Sequence, residues 1–247
     1  MSTWKILAGV VAGGLLGLAS MAADDDAPTD ERIQAAVEQR LKDKAIENAG
    51  GPWVLVSDGV VTLRGKVDSV WAKKKAVQLV LEADGVRFVE DELEIAFGES
   101  DEKVAEEVAK TIRRYAFFTV YDDVNIALEK GHLTLTGRVT MPYKAKEIEK
   151  RASKVMGVQS VRNEIAVLPT NIGDSRLRAA LTYRIYGDSN FREYAFHTNP
   201  PIHIIVENGR VLLTGAVRSE VEKRKAEHIA RSTFGVFSVE NRLQVGS

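Results

Sequence analysis

Trp71 is followed closely by Lys73, Lys74 and Lys75 at the start of a predicted helix. An indole beside three ammonium groups suits a membrane boundary, where the ring sits among headgroups and the lysines meet phosphates. A second reading is open: Trp71 falls in register with Tyr143 and Val221, so an apolar side chain recurs there and packs, while lysines on a helix form its solvated face. Another cluster lies between residues 186 and 201, where Phe191, Arg192, Tyr194 and Phe196 precede Pro200-Pro201. It reads either as a rigid recognition loop or as aromatic plugs at an open core end. Catalytic chemistry has no comparable support. His132, His197, His203 and His228 are scattered without the i, i+4 pair of a zinc helix. No G-x-S-x-G elbow, phosphate-binding glycine loop or dinucleotide fingerprint follows the first 22 residues. His203 is in register with Trp53 and Asn125, which predicts an exposed ring. No catalytic residue, metal, cofactor or small-molecule substrate is expected.

What must position these residues is a unit repeated three times. Gly59, Gly65 and Gly85 recur as Gly131, Gly137 and Gly157 and again as Gly209, Gly215 and Gly235, with offsets of 72 and then 78 residues. A unit of that length encloses its own core, unlike a solenoid repeat of roughly 20–45 residues. Asp58-Gly59, Lys130-Gly131 and Asn208-Gly209 lie between alternating apolar runs, the pattern of a tight hairpin whose turn needs positive φ. The alternation puts Val54, Val56, Val61 and Leu63 on one face of the first hairpin. Ile126, Leu128, Leu133 and Leu135 do the same in the second, and Ile204, Val206, Val211 and Leu213 in the third.

A helix precedes each hairpin, marked by apolar residues four apart: Ile33, Val37, Leu41; Val104, Val108, Ile112; Leu177, Leu181, Ile185. Asp30, Asp101 and Asp174 stand three residues ahead of these series and are predicted helix N-caps. A second helix follows each hairpin, expected to end on Gly85, Gly157 or Gly235 as a left-handed cap, and a last strand comes after it. Each unit is therefore α-β-β-α-β. The helix between the second and third strands is a crossover, so the fold class is α+β: three tandem small domains, each a three-stranded mixed sheet with two helices on one face. The predicted domains span 30–95, 100–168 and 174–246, joined by short linkers at 96–99 and 169–173.

The other sheet face carries Trp53, Leu55, Thr62 and Arg64 in the first unit, Asn125, Ala127, Thr134 and Thr136 in the second, and His203, Ile205, Leu212 and Thr214 in the third. Trp53, Leu55, Ile205 and Leu212 require a cover, supplied by another unit, a partner protein or lipid.

The α-β-β-α-β order, the L-x-G strand endings (Leu63 to Gly65, Leu135 to Gly137, Leu213 to Gly215), the G-V-x-x-V turn into each last strand and the stretch NPPIHIIVENGRVLLTG together resemble the BON domain, named for bacterial osmotically induced and nodulation proteins. The resemblance runs from residue 30 to 245. Its departures are small: Arg64 stands where the other copies have Thr136 and Thr214, and the third copy has six extra residues ahead of its hairpin. It implies a non-enzymatic periplasmic module that binds phospholipid surfaces or otherwise supports the cell envelope under osmotic stress. The alternative is a protein-interaction or chaperone-like adaptor that uses apolar sheet faces and strand edges.

The N-terminus reads as an export signal. Lys5 precedes an uncharged run from Ile6 to Leu18, then Ala19-Ser20-Met21-Ala22-Ala23 and the acidic Asp24 to Asp26, which predicts a signal peptide over 1–22 cleaved after Ala22 and a short acidic linker over 23–29. An uncleaved inner-membrane anchor is the competing reading. The chain has 34 basic and 35 acidic residues and no cysteine. Disulfides and thiolate metal sites are thereby excluded, and no net attraction to nucleic acid is expected.

Overall fold

The computed structural model describes residues 28–44, 46 and 51–246, and the predicted signal peptide with its cleavage site lies outside the described residues. The first unit runs α1 (Asp30–Asp43), β1 (Trp53–Ser57), β2 (Val60–Val67), α2 (Val70–Leu81) and β3 (Phe88–Ile95). The second repeats it as α3 (Asp101–Arg113), β4 (Asp123–Glu129), β5 (His132–Val139), α4 (Pro142–Ala152) and β6 (Ser160–Val167). In the third, α5 (Ile172–Gly187) and a 3-10 turn at Tyr194–Phe196 lead to β7 (Ile202–Glu207), β8 (Arg210–Val217) and α6 (Glu220–Arg231). Its final strand is broken into β9 (Ser238–Asn241) and β10 (Gln244–Val245).

In every unit the hairpin strands pair antiparallel and the last strand pairs parallel to the second, so the second strand is central. The helices cover the face bearing the predicted apolar series, and three separate cores result. The third core is the largest because Phe191 and Tyr194 are added to the helix and strand residues. Fully burying side chains of this size contributes about 1.5–3 kcal/mol each, which suits a chain without cross-links.

The aspartates at the helix starts do a different job from the one predicted. Ser100 and Asn171 cap α3 and α5 with their side chains, and Thr29 occupies the N-cap position of α1. Asp30 instead accepts hydrogen bonds from the amides of Asp58 and Gly59, Asp101 from Lys130 and Gly131, and Asp174 from Asn208 and Gly209, at 2.6–3.0 Å. The turn residues adopt φ near +50° and +75°, the geometry of a type I′ hairpin, which leaves two adjacent amides facing the helix. One carboxylate therefore latches the first helix to the hairpin tip in all three units. Asp174 is 4% exposed, whereas the Asp101 bonds lie nearer solvent. Asp174→Ala is expected to destabilise the third unit by about 2–4 kcal/mol and Asp101→Ala by clearly less. Denaturation of the two variants, followed by hydrogen exchange in each hairpin, checks the difference; equal losses would refute the role of burial.

Two further elements differ from expectation. The second helices end at Leu81, Ala152 and Arg231, several residues before Gly85, Gly157 and Gly235. Those glycines have the predicted positive φ but shape the turn into the last strand rather than capping a helix. In each last strand a short polar residue, Asp91, Asn163 or Asn241, accepts the amide two residues on. Asn163 and Asn241 also donate to carbonyls of the crossover helix, Ala145 and Lys223. In the first unit Lys73 replaces that amide group, donating to the Leu93 carbonyl and pairing with Asp91 at 3.3 Å.

The units are joined in two different ways. The N-terminus of α2 docks on the turn after α4: the Val70 amide donates to Val158, the Trp71 amide to Ser153 and the Gly157 amide to Asp68, at 3.1–3.2 Å. Units two and three meet through residues 118–123. The Val120 carbonyl accepts the Ile204 amide at 2.6 Å, Asp123 accepts the Thr214 hydroxyl at 2.8 Å, and Phe118 lies 5.4 Å from the His203 ring.

Candidate interaction surfaces

The proposed headgroup patch is largely occupied within the chain. Trp71 packs against the first core and lies under the Lys154 ammonium, 4.5 Å from its ring centre, at the joint between units one and two. Lys73 is held by Asp91 and Leu93, and Lys75 donates to Gln78 at 3.1 Å. Lys74 alone of the three is exposed on its helix face. The four residues therefore do not form one free surface. The apolar recurrence at position 71 and the polar anchor on β3 account for two of them.

The other predicted surface divides. Trp53 and Leu55 are more than half exposed on the edge strand β1. Ile205, expected on an open face, is buried on β7, the strand whose Ile204 amide bonds to Val120 of unit two and whose His203 ring lies beside Phe118; Leu212 is half-buried. His203, predicted exposed, is drawn into the same interface, and burial pushes its imidazole below the ordinary value. Phe191 and Tyr194 are likewise not surface residues. Phe191 is fully buried, and the Tyr194 hydroxyl donates to Glu222 at 2.6 Å and accepts from the Arg218 amide, so both plug the third core. Of the four candidate residues in that segment, Arg192 and Phe196 face solvent.

A different cluster stands out on the surface. In the turn between α6 and β9, Phe234 is 100% exposed and Phe237 76%, and Ile172 at the start of α5 is 73% exposed. Phe234 and Gly235 line a shallow groove with Arg176, Leu177 and Ala180 of α5. The Arg210 guanidinium lies 5.6 Å from the Phe237 ring centre. The turn is rigidly mounted: the Phe237 amide donates to Gly209 at 2.8 Å, and Gly209 is itself latched by Asp174. The fold therefore holds three apolar side chains at one end of the third unit with two arginines beside them. The sequence carried a signal for this cluster. The third copy reads F-G-V-F where the others read D-G-V-R and M-G-V-Q, so the signal lies in the two phenylalanines by which it departs from the Gly-Val pattern that the copies share.

Buried charge is concentrated at Asp122. Its carboxylate is fully buried and accepts the amides and hydroxyls of Thr119 and Thr140 and the Lys144 ammonium at 2.6 Å. Burial alone would raise its pKa, but the Lys144 ammonium and the threonine hydrogen bonds outweigh it and hold the carboxyl below its ordinary range. This hub is structural, since it fixes the 118–123 segment that grips β7. Among the described residues no group of three acidic or histidine side chains is placed to hold a metal, and no helix is long and apolar enough to cross a membrane.

Comparison with known proteins agrees with the repeat. Over 124 residues the chain is 32% identical to Osmotically-inducible protein Y of Escherichia coli (strain K12), covering 49% of this chain and 61% of that protein. The match thus spans about three fifths of the relative's length. Among solved structures, the C-terminal domain of CdsD, a structural protein of the type III secretion system of Chlamydia trachomatis, is 16% identical with a TM-score of 0.25, covering 86% of this chain and 96% of that one. The PrgH periplasmic domain is 13% identical with a TM-score of 0.22, covering 79% and 95%. The BON domain family matches residues 29–96, 100–169 and 189–247, one stretch in each α-β-β-α-β unit, and the chain belongs to that family.

Proposed function

We propose that this chain is a non-enzymatic envelope protein of the periplasm that binds phospholipid surfaces peripherally and supports the envelope under osmotic stress. The predicted export signal and the osmotically inducible relative support the setting. The observation that carries the lipid reading is the rigid tip of Phe234, Phe237 and Ile172 flanked by Arg176 and Arg210. Aromatic side chains held out in water gain about 1.5–3 kcal/mol each when covered by acyl chains, and each arginine near an anionic surface adds about 1 kcal/mol. The sum, less the cost of association, gives weak and reversible attachment. Leu81, Phe88 and Arg87 at the corresponding end of the first unit offer a second foothold that raises avidity.

A second reading rests on Trp53 and Leu55. Their strand lies in the sheet that also carries Glu90 and Glu92, which hydrogen bond to Thr62 and Arg64. An anionic membrane is disfavoured there, and a protein partner suits the exposed indole.

Flotation of residues 23–247 with zwitterionic and with anionic vesicles at low and high salt tests the lipid reading. Salt-sensitive binding to anionic vesicles is expected. It should fall on the order of a hundredfold in Phe234→Ser/Phe237→Ser, from about 3 kcal/mol of lost apolar burial. Absence of flotation under every condition, or full binding by the double variant, sinks the proposal.

A further inference from the structure

The dock between units one and two uses parts that every unit possesses. The donor is the first turn of the crossover helix, and the acceptor is the turn that follows that helix in the next unit. Where the dock is made, Gly157 and Val158 are buried and the Gly157 amide is satisfied by Asp68. The corresponding acceptor in unit three is unused. Gly235 is exposed and Val236 only half-buried, and among the described residues no backbone acceptor meets the Gly235 amide. Unit two's donor is unused as well: Met141, Pro142 and Tyr143 are exposed, and Phe117 stacks edge-on to Tyr143 at 6.4 Å with its own ring exposed. The two parts stay apart within the chain because unit three is held through β7 and the 118–123 segment instead.

We infer that the vacant donor of unit two and the vacant acceptor of unit three are filled by a second copy of this chain. One chain carries both parts, so unit two of each copy can dock on unit three of the other, and two reciprocal contacts close under a two-fold axis. The residue changes fit an intermolecular joint. Pro142 has no amide to match the Val70 bond, so one of three hydrogen bonds is forfeited. In its place Met141, Tyr143 and Phe117 present apolar surface. Phe237 occupies the position of Gln159, which in the first dock hydrogen bonds to the Ile95 and Ala96 carbonyls. Polar contacts in the internal dock are thus replaced by aromatic ones, as at interfaces between chains. The inference rests on the membrane reading in one respect only: the dimer covers Phe237 and competes with a phospholipid surface for the same tip, so the soluble form stores its anchor.

The chain has no cysteine, which permits a clean test without lipid. The Trp71 amide bonds to the Ser153 carbonyl, so the matching residues Tyr143 and Arg231 of two docked copies come within disulfide reach. Tyr143→Cys and Arg231→Cys, purified separately and mixed under mild oxidant, are expected to form a mixed dimer faster than either variant alone. Sedimentation of the unmodified protein should show a dimer that dissociates on dilution, and Tyr143→Asp, a surface change, should be monomeric with unaltered circular dichroism. A monomer at every concentration, a dimer indifferent to Tyr143→Asp, or a mixed cross-link no faster than the separate ones overturns the inference. Loss of flotation with an intact dimer removes the membrane reading alone, and a monomer that floats removes the dimer alone.

Discussion

Replacing Lys144 by methionine is expected to cost the middle unit about 3–5 kcal/mol, because it strands the carboxylate of Asp122 in a fully buried position. The usual remedy of removing both charges fails here. Asp122 also satisfies the amides of Thr119 and Thr140, so an apolar residue at 122 leaves two part-buried donors unpaired. The single Lys144 variant, the single Asp122 variant and the double variant should therefore all be strongly destabilised, with the double no better than either. Hydrogen exchange of the β4–β6 amides reads the middle unit separately from its neighbours, which matters in a chain of three cores. Recovery of wild-type protection in the double variant would show that the pair is an isolated ion pair and not a hub.

The same hub sets a pH dependence for the joint between units two and three. Asp122 has a depressed folded pKa, so its contribution is complete above its ordinary value of 3.8 and is lost as pH falls through the folded value. His203 has a depressed folded pKa through burial, and its loss begins earlier, as pH drops below its ordinary value of 6.5. The interface therefore loosens in two stages on acidification, imidazole first and carboxylate second, while the dock between units one and two contains neither group.

The repeat, the strands and the buried faces were legible because they depend on local patterns: glycine spacing, alternation of two and periodicity of four. What was not legible depends on pairs of residues distant in sequence. Asp30, Asp101 and Asp174 sit beside helix starts, so local rules assign them as caps, yet their partners lie about thirty residues on at a hairpin tip. Ile205 and Leu212 alternate as an outward face should, yet the first of them is buried, on the strand where units two and three meet. Trp71 and Lys73 carry the composition of a headgroup site, but a neighbouring unit and an aspartate on the adjacent strand claim them first. Phe234 and Phe237 went unread for the opposite reason. Repeat matching weights what the three copies share, and these residues are where the third copy differs.

Gly215→Ala is the second change expected to have a large effect, and Gly235→Ala provides its control. Both glycines have φ near +100°, where an L side chain carries strain of about 1–2 kcal/mol. The sites differ in their surroundings. Within one chain a methyl group on Gly235 meets nothing closer than Leu177 at 4.0 Å, so strain is the whole cost to the fold of the third unit. A methyl group on Gly215 overlaps the Pro201 carbonyl oxygen, which accepts the Ala216 amide at 3.1 Å, and backbone cannot swing aside as a flexible side chain would. Relief requires moving the start of β7 away from β8. That motion breaks the Ala216 bond, disturbs the Tyr186 hydroxyl bond to the Ile202 carbonyl, and shifts the Ile204 amide from Val120. Gly215→Ala should therefore cost more than about 3 kcal/mol, and it should weaken the joint with unit two as well as the third core. Thermal unfolding of the two variants, with β7 amide exchange as the local probe, separates strain from steric overlap. Similar losses at the two glycines would mean that φ alone dictates them and that the close approach of the Pro201 carbonyl is readily relieved.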